Sequence, residues 1–164
     1  MKNKKKRIIV VSLSMIIPII CILYFVVFNP FNSQNKLQNE NSSTFINKIS
    51  SLEDGKEYRL SDFVPFEWDN MYVFSEYTDE AYIEKVIGTE SSRIHISDSE
   101  GMQQVIFVRN KEVVGYIQGM DYKLGFSVER KGQEYLAIKS DDNYKLHVNM
   151  KDGIKYLEFK AVTQ

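Results

Sequence analysis

Residues 102–118 read MQQVIFVRNKEVVGYIQ. Two apolar runs, 102–109 and 112–118, flank Asn110-Lys111. Runs this rich in Val, Ile, Phe and Tyr, parted by a two-residue polar break, predict a β-hairpin. The same pattern continues downstream. Residues 124–129 form a third run, closed by Arg130-Lys131-Gly132, and residues 134–139 a fourth, closed by Asp141-Asp142-Asn143. Then Tyr144, Leu146, Val148 and Met150 alternate with Lys145, His147 and Asn149, the period-two signature of a strand with one wet face. Lys151-Asp152-Gly153 makes another hairpin turn before a last strand over 154–162. Turn signals roughly every 8–12 residues predict an antiparallel meander of about five to six strands.

Upstream of the hairpin the period changes. Phe45, Ile46, Ile49 and Leu52 fall on one helical face, with Ser42 or Ser43 as the expected cap and Gly55 as the expected C′ residue. Pro65 interrupts any regular element near it, and residues 71–74, MYVF, read as a strand. Thr78 is the expected cap of a second helix, with Asp79 and Glu80 in its first turn, Ile83, Val86 and Ile87 as its apolar stripe, and Gly88 as its stop. The fold expected over residues 44–164 is therefore α+β, two short helices packed on one curled antiparallel sheet.

The N-terminal quarter has a different character. Residues 8–28, IIVVSLSMIIPIICILYFVVF, hold no charge. As a helix at ~1.5 Å per residue they match the ~30 Å hydrocarbon thickness, and a transmembrane signal-anchor is expected there. Lys2, Lys4, Lys5, Lys6 and Arg7 precede it, so the positive-inside rule puts residues 1–7 in the cytoplasm and the rest outside. Signal-peptidase cleavage after Ser33 is disfavoured by Phe31 at the −3 position, and lipidation at Cys21 by the bulky residues around it. The expected location is the cell membrane, single-pass, with an extracytoplasmic domain. Residues 29–43, NPFNSQNKLQNENSS, are polar and read as a flexible linker. Cys21 is the sole cysteine, so no intramolecular disulfide forms and the domain stands on its core. Beyond residue 28 there are 16 basic and 22 acidic residues, a net charge of −6. That balance argues against nucleic acid as a partner.

Candidate working residues concentrate in residues 62–78, DFVPFEWDNMYVFSEYT, where Phe, Trp and Tyr alternate with carboxylates. Glu67, Trp68, Asp69, Tyr72 and Tyr77 are the expected binding residues, since Trp and Tyr supply rigid contact area and the carboxylates suit a cationic or hydroxyl-rich partner. The competing expectation is that Phe66, Trp68 and Phe74 plug the core while Asp69 caps a turn. Glu67 and Asp69, two apart, share a face if extended, which is the spacing a pair of acid–base carboxylates uses. No zinc spacing, calcium loop, nucleophile elbow, phosphate loop or dinucleotide fingerprint occurs, so no metal or cofactor is expected. Gly115 and Gly119 read as a bulge and a turn.

The pattern PFEWDxxYxFxxYT, carried by Pro65 to Asp69, Tyr72, Phe74, Tyr77 and Thr78, resembles a group of small extracytoplasmic proteins of Gram-positive bacteria, anchored by a signal-anchor helix or as lipoproteins. Ile83 to Lys85, Ile87, Gly88 and Gly101 to Val108 extend the resemblance. It implies location and architecture and brings no activity with it. The expected function is thus non-catalytic binding of a protein, peptide or envelope component at the outer membrane surface. An envelope-acting hydrolase using Glu67 and Asp69 is the alternative, and an immunity-type or accessory subunit of a membrane complex a further one.

Overall fold

The structure is a computed structural model, which describes residues 30–162 together with Pro18, Ile19 and Tyr24. The tail 1–7 and nearly all of the span 8–28 lie outside the described residues. Among the described residues no helix is long and apolar enough to cross a membrane. The chain divides into two compact units, Met1–Lys36 and Leu37–Gln164.

Helix α1 is Pro30–Ser50, followed by β1 (Glu57–Arg59) and one turn of helix, α2 (Leu60–Phe63). Then come β2 (Asn70–Ser75), α3 (Glu80–Ile87) and the predicted hairpin, β3 (Met102–Arg109) with β4 (Glu112–Met120). A second single turn, α4 (Asp121–Leu124), precedes β5 (Phe126–Val128), β6 (Tyr135–Lys139), β7 (Tyr144–Lys151) and β8 (Ile154–Ala161). The α+β class holds. The single meander does not: the strands form two four-stranded sheets, ordered β1-β7-β8-β5 and β4-β3-β2-β6. All pairs are antiparallel except β5 with β8. The chain changes sheet between β5 and β6 and again between β6 and β7, so the turns that close those runs are crossings between layers rather than steps of one meander.

The two sheets share one core. Val73, Val105, Phe107 and Ile138 from one side meet Phe126, Leu146, Val148 and Leu157 from the other, and Phe45 and Phe63 fill it further. Phe45 makes edge-to-face contacts with Phe63, Phe107 and Phe126 at 4.9, 4.8 and 6.1 Å. The opposite face of the β4-β3-β2-β6 sheet carries a second cluster, in which Phe74, Ile106 and Val108 pack with Ile83 and Ile87 of α3 and with Ile94. Apolar cover on both faces accounts for the unbroken VIFV run of β3, whose side chains at 105–108 are all buried. In β7 one face is wet, so Leu146 and Val148 point inward while Lys145 and Asn149 are exposed. Met150 departs from that alternation, 47% exposed near the end of the strand.

Local chemistry fixes the joints. Asn110 and Lys111 both have positive φ, 51° and 63°, the requirement of a type I′ turn between Arg109 and Glu112. A bulge interrupts the β3–β4 pairing next to Val108. Gly115 sits there, where a Cβ would lie 3.2 Å from the Phe107 ring. Gly119 is not in a turn but inside β4, packed against Leu124. The α3 cap is Asp79, whose carboxylate accepts the Tyr82 N–H, while Thr78 donates back to the Ser75 carbonyl. The carboxylate is one residue later than the expected cap and reaches the first turn better. Gly88 ends the helix in the left-handed conformation as expected.

The polar stretch 29–43, expected as linker, is helical from Pro30, and from Leu37 it belongs to the domain unit. Ser42 is therefore inside α1 rather than its cap, and Gly55 lies beyond the helix in the turn before β1. The reason is docking. β4 is an edge strand, and Gln38 Nε2 and Asn41 Nδ2 donate to its Val113 and Val114 carbonyls, each at 2.8 Å. Ser42 Oγ donates to the Tyr116 carbonyl and accepts the Tyr116 N–H, both at 3.0 Å. Polar side chains on one face of α1 thus complete the hydrogen bonding of an otherwise open strand.

Candidate functional site

Glu67, Trp68 and Asp69 enter β2 at the end of the sheet that holds the β3–β4 turn. Their exposure alternates, as extended backbone requires. Trp68 is 9% exposed and packs edge-to-face on Phe107 at 5.9 Å. Asp69 is exposed and structural. Its Oδ2 accepts the Asn110 N–H at 2.7 Å, its own N–H donates to Val108, and its carbonyl accepts the Ser140 N–H. This is the turn-capping role weighed for it from the sequence. Glu67, with 74% of its side chain exposed, pairs with Arg109 across the strand.

Tyr72 and Tyr77 do not join them. Tyr72 projects toward the α3 face, stacked on Phe74 at 6.3 Å, and burial raises its hydroxyl above the ordinary range. Tyr77 lies beyond the far end of β2, 63% exposed, with φ at 61°. Its N–H donates to the Ser97 carbonyl. Among the five expected binding residues, then, the structure brings three together and sets two apart.

The three border an open depression of ≈ 340 Å³, where Phe66, Glu67, Trp68 and Asp69 meet Arg109 and Ser140. A second depression, ≈ 380 Å³, adjoins it, lined by Arg59, Ser140, Asn143, Tyr144 and Lys145. Leu60, Ser61 and Ser140 line both, so the two adjoin at this end of the sandwich, and together they are called the groove. The first holds aromatic side chains with Glu67, Asp69 and Arg109, and the second holds Arg59 and Lys145 together with Asp142. The acids at the first end are already engaged, Glu67 by Arg109 and Asp69 by the Asn110 N–H.

Arg59, Arg109, Ser140 and Lys145 escaped the sequence reading. They lie in four different segments, and only the sheet crossing after β6 gathers them. Among the described residues no group of three or more His, Cys, Asp or Glu is arranged to hold a metal ion.

No family model matches this chain, and neither a curated protein nor a solved structure shows significant similarity to it.

Proposed function

We propose that the chain is a single-pass, membrane-anchored module whose extracytoplasmic domain binds a protein or peptide, without catalysis, in the groove between its two sheets. The observation that carries this reading is the groove itself. Exposed polar side chains and a half-buried aromatic, Phe66, line two adjoining open depressions beside the core. Pockets of this make-up, aromatic at one end and charged at the other, suit a segment of polypeptide laid across them. The 21-residue uncharged stretch 8–28 and the five basic residues before it support the anchor and its orientation. Glu67 and Asp69 are each committed to a partner, which favours binding over acid–base chemistry at this place.

The test is a photo-reactive amino acid placed at Ser140, in the groove, in the full chain in intact membranes. Tyr122, exposed at the opposite end of the same sheet, serves as control. A discrete adduct from position 140 and none from 122 is the expected result. Absence of an adduct from 140, or equal adducts from both, overturns the groove as binding site. Protease added to wall-stripped cells should remove the domain, and full protection would reverse the orientation.

A further inference from the structure

Residues 89–100 connect α3 to β3. Gly88 stands before them and Gly101 after them, both left-handed, at φ 75° and 77°, with open space where a Cβ would be. Between the two glycines only Ile94 and Ser97 are buried. Ile94 belongs to the cluster of Phe74, Ile83 and Ile106. The other ties are polar. Gln118 Nε2 of β4 donates to the His95 carbonyl at 3.5 Å, and the Tyr77 N–H, just past β2, donates to the Ser97 carbonyl at 2.6 Å. The segment therefore lies over β3, which runs between those strands. The Ser91 N–H donates to the Glu84 carboxylate at 2.9 Å, and Arg93 donates to Gln38 Oε1 at 3.4 Å. Tyr77 has a φ of 61°, uncommon for a large side chain.

The contact between this segment and the sheet is incompletely bonded. Gln104 of β3, directly opposite Gln118, is fully buried. Its Oε1 accepts the Tyr116 hydroxyl at 2.9 Å, while its Nε2 has no partner among the described residues. Ser97 is fully buried as well, and its Oγ has none either. A buried polar group without a partner carries a desolvation cost that is relieved when the group meets water.

We propose that residues 89–100 form a lid that opens on Gly88 and Gly101 while both sheets stay folded. Opening exposes one buried aliphatic side chain, Ile94, and hydrates Ser97 Oγ and Gln104 Nε2, so it costs far less than unfolding the domain. Segments held by few apolar contacts are those that open locally. The surface uncovered is the seat of Ile94 beside Gln104 and Tyr116, apolar with a few polar groups, which is the make-up of a small ligand pocket. It shares no residue with the groove.

The test is amide-resolved hydrogen exchange on the full chain in detergent micelles. The reporters are the Tyr77 and Ser91 N–H groups, which the closed lid holds, and the reference is Val105 in central strand β3. Both reporters should exchange together, at least tenfold faster than Val105, and low urea that speeds Val105 should leave them unchanged, since little surface opens. Ser97→Ala removes an unpartnered hydroxyl and should slow both reporters roughly fivefold. Ile94→Val loosens the single apolar anchor and should speed both roughly threefold. Reporters that exchange in step with Val105, with the same urea dependence, overturn the lid. Unchanged or faster exchange in Ser97→Ala overturns it too, because the closed state then satisfies that hydroxyl. So does unchanged exchange in Ile94→Val, because Ile94 then does not hold the segment down.

Discussion

Glu67 and Trp68 are neighbours with opposite fates, and their replacement separates folding from binding. Trp68 is buried against Phe107, so Trp68→Ala is expected to cost about 3–5 kcal/mol in urea unfolding, the scale of a deleted large core aromatic. Glu67 is largely exposed even within its Arg109 pair, so Glu67→Gln should stay within about 0.5 kcal/mol of the wild type. A wild-type melt for Trp68→Ala would remove it from the core. Much of this was legible in the sequence, because an apolar residue between two acids at period two announces which side faces in. What was not legible is where Asp69 points. Its partner is the turn at Asn110, 41 residues away in the chain.

At the scale of the element, α1 and the edge of β4 make one unit. Ser42→Ala leaves the Tyr116 N–H and carbonyl without partners, and the expected cost is about 1–3 kcal/mol. A fragment of residues 37–164 should melt cooperatively, while one of residues 44–164, which lacks Gln38, Asn41 and Ser42, should melt lower and self-associate through the uncovered strand. Equal melting and equal solubility of the two fragments would show the cover to be dispensable. Composition hid this element. Asn, Gln and Ser at high density are the marks of free chain, and only a strand edge nearby turns them into a helix face. The apolar stripe Phe45, Ile49 and Leu52 was readable and packs as read, since burial in a core is what a helical period encodes.

At the largest scale, the unit Leu37–Gln164 is built on two sheets joined across one core, and hydrogen bonds as well as apolar contact join them. Gln103 of β3 donates to the Phe126 carbonyl at 2.7 Å and accepts the Val128 N–H at 3.0 Å, bonding to β5 in the other sheet. The sequence predicted the local pairings β3–β4 and β7–β8, whose turns are written in adjacent residues. It did not predict β2 with β6 or β5 with β8, because those pairings depend on which layer the chain returns to. The groove exists only through that return, so its residues were not assembled by reading along the chain. Acid stability reports on the outer face of the other sheet. Lys131 and Lys160 hold the Glu158 carboxyl at about 2, below its ordinary 4.5. The stabilisation is complete above about pH 4.5 and fades as the pH falls toward 2, so Glu158→Gln should flatten the unfolding midpoint over that window. An unchanged slope would mean that the two ion pairs add nothing in solution. The groove is tested most directly by filling it. Ser140→Trp places an indole between its two halves at an exposed position whose backbone N–H bond to Asp69 is kept. The measurement is capture of the cross-linked segment, made as a synthetic peptide, by the Ser140→Trp full chain, beside its thermal melt. The predicted result is a wild-type melt with capture lost, and undiminished capture by the filled groove would contradict it.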